Sequence, residues 1–329
     1  FYNIGVKGLP VAHALATTYH PVYVDWGDGK YTRLAFTGTS YEKLYHKYDT
    51  ESGIRTITIY GKCRNIVMTD EPTLVRINLP FNNIEFDNTI SFSGLQRNPN
   101  LKTIPGDIFS NFKYIKNNIC DSMFYKTSSL NPILEEIFFP FKDKIVSCNN
   151  TFKQSESFKI IPDRIFEKNS KLTSCNGTFS YTSIITVPAS IFKYCPNLSS
   201  VANCFRGCEN LLFIPLDLYR YNTKLKDVSY CFYGCLSIET ILESIFLYNT
   251  ELTNVAYCFY GCSKIKHIPP KIFRFNKKIT NFSYAFANCT GIVGDVPELW
   301  NEFPDATGTG CFRGCTNASN YADIPDNWK

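Results

Sequence analysis

Residues 254–269 read Asn254-Val255-Ala256-Tyr257-Cys258-Phe259-Tyr260-Gly261-Cys262-Ser263-Lys264-Ile265-Lys266-His267-Ile268-Pro269. The Cys-Phe-X-Gly-Cys phrase at the centre of this stretch returns at Cys204 to Cys208, Cys231 to Cys235 and Cys311 to Cys315. With its phenylalanine as an anchor, the series runs Phe124, Phe152, Phe179, Phe205, Phe232, Phe259, Phe286 and Phe312, at spacings of 28, 27, 26, 27, 27, 27 and 26, and Leu95 extends it backward by one copy. A period in the twenties held this tightly means one supersecondary unit per repeat. No unit can bury its apolar face alone, and each is covered by its neighbours.

Working outward from the anchor, residues 204–226 place Leu211, then Phe213-Ile214 before Pro215, then Leu218-Tyr219, Asn222 and Leu225. The next copy puts Ile238, Ile241, Ile245-Phe246, Asn249 and Leu252 in the same slots, and the one after puts Ile265, Ile268, Ile272-Phe273, Asn276 and Ile279 there. Exchange of Leu, Ile and Val at constant hydrophobicity is how stacked inward positions behave. The short apolar runs that end at proline, such as Leu211 to Ile214 and Lys266 to Ile268, read as brief strands that stop where a donor is lost. Stacked, they predict a parallel sheet at a spacing of about 4.8 Å, joined by short helical turns and corners. The Asn slot holds Asn169, Asn222, Asn249 and Asn276, with Cys195 between the first two. Such a side chain turned inward at a corner serves backbone groups left unpaired by the turn, which favours a leucine-rich solenoid over helical repeats. The expected fold is therefore a β-rich, α/β-type leucine-rich-repeat solenoid of about nine coils of 26–29 residues.

The repeat units resemble the BspA-like leucine-rich repeats of bacterial surface proteins and of phages infecting such bacteria, from about residue 90 to 329. That resemblance implies an adhesive or interaction surface without a shared catalytic site, and partners that differ from member to member. It places the chain outside the cell, at a cell surface or in a virion. The chain begins at Phe1, which reads as a processed or truncated N-terminus.

Residues 22–61 have a different texture. Val22-Tyr23-Val24-Asp25-Trp26-Gly27-Asp28-Gly29 is an alternating strand running into an Asp-Gly turn. Tyr45-His46-Lys47-Tyr48 with Thr56-Ile57-Thr58-Ile59-Tyr60 reads as a second strand pair. This stretch resembles PKD-type β-sandwich modules, with Arg55 where their closing strand usually carries tyrosine. The resemblance implies a spacer or docking piece in which Trp26 fills the core while Asp25 and Asp28 fix the turn. The expected organisation is a small PKD-like antiparallel sandwich over 1–61, a linker and N-terminal cap over 62–94, and the solenoid over 95–329 with an atypical capping repeat at its end.

Composition narrows the function. The chain has 329 residues, 44% hydrophobic, with 27 Phe and 21 Tyr, which suits a stacked core in which each unit contributes a ring. Its 34 basic and 29 acidic side chains form no long block; the densest basic group is Arg274 with Lys277 and Lys278, too small for a nucleic-acid footprint. The apolar runs fall far short of the ~20 residues needed to span a bilayer, so no membrane insertion is expected.

Most of the fourteen cysteines align in two slots. The slot before the anchor holds Cys204, Cys231, Cys258 and Cys311, but Met123, Thr151, Thr178 and Ala285 elsewhere. The slot three after it holds Cys208, Cys235, Cys262, Cys289 and Cys315, but Thr127, Ser155 and Thr182 elsewhere. Small residues exchange there, as in a tight packing position. The spacing suits zinc poorly. Buried thiols and bridges between stacked coils both fit the geometry, with odd members left over in a ladder of bridges. Of the four histidines, His13, His20, His46 and His267, His46 belongs to the sandwich motif and His267 to a repeat strand, so neither has an obvious nucleophile or carboxylate partner in sequence, and no catalytic motif is present. No catalytic, cofactor or metal residue is expected.

One feature exceeds the needs of a core. Tyr194, Tyr221, Tyr248 and Phe275 stand in register one residue before the Asn slot, and a second file runs through Tyr230, Tyr257 and Tyr284. Stacking makes each an aromatic column, suited to sugar rings or a protein partner if exposed and to flank shielding if not. The expected function is a non-catalytic binding or adhesion protein that meets a glycan or protein on a host or cell surface, as a surface adhesin or a virion fibre or decoration component. The alternative is a docking part of a larger particle, in contact with neighbouring virion proteins and with no external ligand; either role allows an oligomer.

Overall fold

In a computed structural model, the described residues are 2–7, 22–34, 41–46, 56–60, 65–67, 74, 76–77, 95–110 and 120–329. From residue 120 onward the chain winds in coils that repeat at the anchor period. The anchor rings form one unbroken column, Phe124–Phe152–Phe179–Phe205–Phe232–Phe259–Phe286–Phe312, with successive centroids 5.4, 5.7, 5.7, 5.6, 5.6, 5.3 and 5.8 Å apart. A second column, Phe138–Phe166–Phe192–Tyr219–Phe246–Phe273, occupies the Ile-Phe slot at 5.8 to 6.2 Å. Both columns are buried, and stacked pairs of this kind contribute about 0.5–1.5 kcal/mol each beyond the area they remove from water.

The asparagine slot forms a third internal row. Asn249 Nδ2 donates to the carbonyls of Tyr219 and Asn222 in the preceding coil, at 3.0 and 2.9 Å, and Asn276 repeats the pattern on Phe246 and Asn249. Asn222 does the same to Phe192 and Cys195. With these three rows the solenoid is leucine-rich-repeat-like.

Two expectations are corrected. The coils carry no extended strands among the described residues; coil meets coil through single-residue parallel bridges. The main row of bridges lies five residues before the anchor, at Ser147, Ser174, Ser200, Asp227, Asn254, Asn281 and Thr307. The runs ending at proline, expected to form the sheet, make two isolated bridges among the described residues, Thr103 with Arg76 and Ile160 with Thr186, and scattered hydrogen bonds such as Leu212 N–H to the Ile185 carbonyl. The α/β character is also absent: the one α-helix among the described residues is α1, Leu299–Glu302, and the Ile-Phe-X-X-Asn segments are successive turns.

The reason lies in the anchor phrase. Between Val228 and Cys235 alternate N–H groups donate to the next coil: Val228 to Asn254, Tyr230 to Ala256, Phe232 to Cys258 and Gly234 to Tyr260, at 2.8 to 3.0 Å. The N–H groups of Cys231, Tyr233 and Cys235 close turns on the carbonyls three residues back, at 3.1 Å. Ser229 N–H bonds the Asp227 carboxylate. Every N–H of the phrase thus has a partner without a strand. Two of the turns need a left-handed third residue, at Tyr230 (φ 56) and Gly234 (φ 66).

The N-terminal part holds two three-stranded antiparallel sheets. In the first, β1 (Tyr2–Lys7) lies between β4 (Tyr41–His46) and β6 (Asn65–Val67); in the second, β2 (Val22–Asp25) lies between β3 (Tyr31–Leu34) and β5 (Thr58–Tyr60). The expected pairing of the Tyr45 region with Thr56–Tyr60 is not made, because β1, in which Tyr2, Ile4 and Val6 alternate with Asn3, Gly5 and Lys7, takes β4 as partner instead. β6 lies beyond residue 61, so the first sheet crosses the expected boundary there. Trp26 is buried and its Nε1 donates to Thr32 Oγ1. Asp25 and Asp28 accept from the N–H groups of Gly27 and Lys30. Tyr48, Arg55, His13, His20 and most of the 62–94 segment lie outside the described residues.

Candidate functional site

Coil spacing differs from side to side. The rings of Tyr230, Tyr257 and Tyr284 stack at 4.4 and 4.9 Å, and those of Tyr233 and Tyr260 at 4.7 Å. The Phe246 column, buried behind the anchor column, is spaced at 5.8 to 6.2 Å. Stacked equivalent rings measure the local rise of the solenoid, so the coils converge at the turn face and splay behind it. The turn face is the concave side.

The five tyrosines form one half-buried block, with Tyr230 against Tyr233 and Tyr257 against Tyr260 at 5.9 and 5.8 Å. Their faces are covered by one another, so the block presents ring edges and phenol hydroxyls rather than open faces. One end is closed by Arg206, whose guanidinium lies 5.2 Å from the Tyr230 centroid, 4.6 Å from Tyr233 and 5.8 Å from Tyr181. The Tyr181 ring rests over Gly207, where an added Cβ would stand 2.5 Å from it. At the other end Asn288 Nδ2 donates to Tyr260 Oη at 2.8 Å. Partial burial, followed by the neighbouring phenols of Tyr230 and Tyr284, raises the Tyr257 pKa above the ordinary tyrosine value.

The backbone makes this block unusual. The slot two before the anchor is left-handed and holds Ser122, Asn150, Gly177, Asn203 and Gly310 in other coils, but Tyr230, Tyr257 and Tyr284 at φ 56, 56 and 55. A bulky side chain there costs on the order of 1–3 kcal/mol relative to a permissive one. The turn itself does not call for it.

The other expected file is placed differently. Tyr194, Tyr221, Tyr248 and Phe275 are exposed, at 39, 48, 37 and 48%. No ring contact joins them to one another. They lie beside the Asn slot, and cations rest on three of them: Lys193 on Tyr194 and Arg274 on Phe275 from the preceding residue, and Arg220 on Tyr248 from the preceding coil, at 5.2 to 5.4 Å. The expected continuous column is therefore corrected to separate ring–cation pairs.

All thirteen described cysteines are buried free thiols. In the slot three after the anchor, each Sγ donates to the anchor carbonyl of the preceding coil: Cys208 to Phe179, Cys235 to Phe205, Cys262 to Phe232, Cys289 to Phe259 and Cys315 to Phe286, at 3.0 to 3.1 Å. Ser155 Oγ makes the same bond to Phe124. This slot selects a short donor, whereas the slot before the anchor also accepts Met123 and Ala285, which have none, beside Thr151 and Thr178, which donate to the Cys148 carbonyl, and Cys231, whose Sγ meets Tyr219 Oη at 3.3 Å. Burial pushes the pKa of Cys208, Cys231 and Cys262 up to about 12. These thiols stay protonated and engaged, which suits neither nucleophile nor metal ligand. Among the described residues no group of three or more His, Cys, Asp or Glu could hold a metal ion.

Sequence reasoning missed Arg206, Tyr181, Tyr233 and Tyr260. The signal for the last two was present as Tyr233 and Tyr260 in the variable position of the Cys-Phe-X-Gly-Cys phrase.

No protein-family model matches the chain, and no curated protein matches it. Among solved structures, a chain from a crystal structure of a TLR13–ssRNA13 complex is similar at 13% identity with a TM-score of 0.33, over 68% of this chain and 34% of that one. The chain thus spans about a third of the length of that neighbour, and a likeness of this degree does not bear on fold or ligand.

Proposed function

We propose that this chain is a non-catalytic binding protein that presents the concave face of a repeat solenoid to a glycan or protein partner. In finer terms, it is a BspA-like leucine-rich-repeat protein with a PKD-type module at its N-terminal side, acting outside the cell as a surface adhesin or a virion fibre or decoration component. The observation that carries the reading is the run of three tyrosines in left-handed positions that other coils fill with Gly, Asn or Ser. Residues that oppose local backbone preference in consecutive units, on the concave side where solenoids bind, mark a surface kept for a purpose beyond folding. Tyrosine and arginine are also the side chains that dominate binding energy at interfaces.

The test is a screen of the full chain on glycan arrays and against surface proteins. Binding lost in Tyr230→Asn with Tyr257→Asn, at unchanged thermal stability, supports the concave block. Loss instead in Tyr221→Ala with Tyr248→Ala moves the site to the flank beside the Asn slot.

A second reading, a docking part of a larger particle, is favoured by a different face. Ile160, Ile185, Leu212, Phe213 and Leu216 are exposed on neighbouring coils along the runs that end at proline, an apolar strip of the kind that marks an assembly contact. Stable co-purification with particle proteins, abolished by Leu212→Glu and indifferent to the tyrosine variants, would establish that role.

A further inference from the structure

Between Ser174 and Cys289 the anchor phrases of the turn face carry almost no charge, whereas the phrases outside that stretch carry Asp121, Lys126, Lys153 and Arg313. Residues 228–235, 255–262 and 282–289 contain no Asp, Glu, Lys, Arg or His, in a chain whose charged fraction is 19%. The stretch from Ser174 to Thr182 has none either, and residues 201–208 supply one, Arg206. The neutral aromatic track thus has an arginine beyond each end, Arg206 and Arg313, of which Arg313 is exposed and Arg206 alone is held against rings.

That cation is held without a counter-ion. Arg206 makes no ion pair among the described residues. Its Nη1 donates to Asn203 Oδ1 at 3.2 Å, and its Nε is buried with no hydrogen-bond partner. Three rings crowd the guanidinium, and the side chain is half-buried, with Nη N–H groups beyond the one given to Asn203 left to meet a ligand. A guanidinium already crowded in this way loses less freedom on pairing with a carboxylate through two parallel hydrogen bonds.

From this we infer that Arg206 is the anchor for the single carboxylate of an acidic sugar at the end of an otherwise neutral oligosaccharide, the following sugars lying along the tyrosine edges. The inference rests on the reading of the chain as a binding protein and names the ligand class of that same face. Charge distribution selects the occupant. A nucleic acid or a sulfated polysaccharide places a negative charge on every unit, against three coils that offer it no cation. A neutral glycan leaves Arg206 unpaired. The phenol hydroxyls of the block supply donors and acceptors for sugar hydroxyls, and its edges supply apolar contact.

The test is a printed panel of oligosaccharides ending in sialic or uronic acid, each beside its methyl ester and its neutral parent, with acidic peptides as a separate arm. Hits are followed by calorimetry on the full chain. The expected result is an acid bound at least about ten-fold more tightly than its ester, as a charge-assisted pair implies. That ratio should fall to near one in Arg206→Gln and be partly restored in Arg206→Lys, with the urea midpoint of unfolding unchanged. Tyr260→Phe, which keeps the ring and removes the hydroxyl, should weaken acid and ester alike. Equal binding of acid and ester, an unchanged ratio in Arg206→Gln, or binding of acidic peptides alone overturns the inference. If no glycan binds but a surface protein does, the inference fails and the binding role stands; if neither binds, both fail.

Discussion

The coils from Cys120 to Asn203 and those from Cys204 to Cys315 share one backbone path and differ in two slots. Inside, the earlier coils place Thr127, Ser155 and Thr182 three residues after the anchor, where the later ones place Cys208, Cys235, Cys262, Cys289 and Cys315. The chemistry changes, but the bond to an anchor carbonyl stays, as Ser155 and Cys235 show. Outside, the earlier coils place Ser122, Asn150, Gly177 and Asn203 in the left-handed position, where the later ones place three tyrosines before returning to glycine at Gly310. The first exchange preserves what the turn requires; the second works against it. Substitution inside the coil is governed by the fold, whereas substitution on the concave rim answers to something the fold does not need.

The contrast can be broken most severely with pH. An unfolded thiol ionises near pH 8.5, while Cys208, Cys231 and Cys262 hold their protons up to about pH 12. Below pH 8.5 both states are protonated and the stabilisation from the buried thiols is fully present. As pH rises from there toward 12, only the unfolded chain loses protons, and stability falls by about 1.4 kcal/mol per pH unit for each such thiol. Urea midpoints taken at pH 7.5, 8.5 and 9.5 should be level and then drop steeply. A flat profile to pH 10 would mean that the later coils do not depend on neutral thiols.

Next in size is the anchor column. Phe232 is fully buried between Phe205 and Phe259, and Phe232→Ala should cost about 3–5 kcal/mol in denaturant unfolding. A cost under about 1 kcal/mol would show that the coils can close over the gap and that stacking of the anchors is incidental.

The donor slot gives a finer distinction. Cys235→Ser keeps a donor for the Phe205 carbonyl and should cost less than about 1 kcal/mol, whereas Cys235→Ala removes it and should cost about 1–2 kcal/mol. Equal losses would reduce the slot to packing.

Smallest of all is the expected effect on the rim. Tyr257→Asn relieves left-handed strain of about 1 kcal/mol or more and forfeits two stacked contacts of about 0.5–1.5 kcal/mol each, so stability should move by no more than about 1 kcal/mol either way. A loss above 2 kcal/mol would make the tyrosines structural and erase the difference between the two slots.

Much of the interior was legible because apolar identity repeats in register: the anchor series and the Asn slot translate directly into the Phe232 column and the Asn249 row. The path of the backbone was not. Runs such as Leu211 to Ile214 resemble strands in composition, and the true ladder runs through a phrase whose partners are satisfied by turns. The clue lay in Gly207, Gly234 and Gly261 together with Asn203 and Gly177, all left-handed, but tyrosine in the same slot of later coils masked it. The two tyrosine files looked equivalent for a related reason. Sequence gives the register of a side chain along the coil and not the local rise, and only the rise separates the stacked Tyr230 file from the spaced Tyr221 file. Arg206 was invisible as a site because the variable position of the phrase holds Arg206 and Arg313 alike, and sequence does not show that only the first meets a cluster of rings.

The alternate N–H groups of each anchor phrase all point toward the following coil, and at the final phrase Gly310 and Phe312 hand theirs to the carbonyls of Asn327 and Trp328. Such a one-way arrangement makes the array behave like a directional polymer with a stopper. A tandem copy of any 27-residue unit, spliced in with its polarity kept, would meet the same neighbours on both sides and push the ends about 5 Å apart. Copying the unit that starts at Cys231 would lengthen the tyrosine rim by one step and leave its arginine terminus where it is, so the reach of this surface can be reset by gene duplication alone.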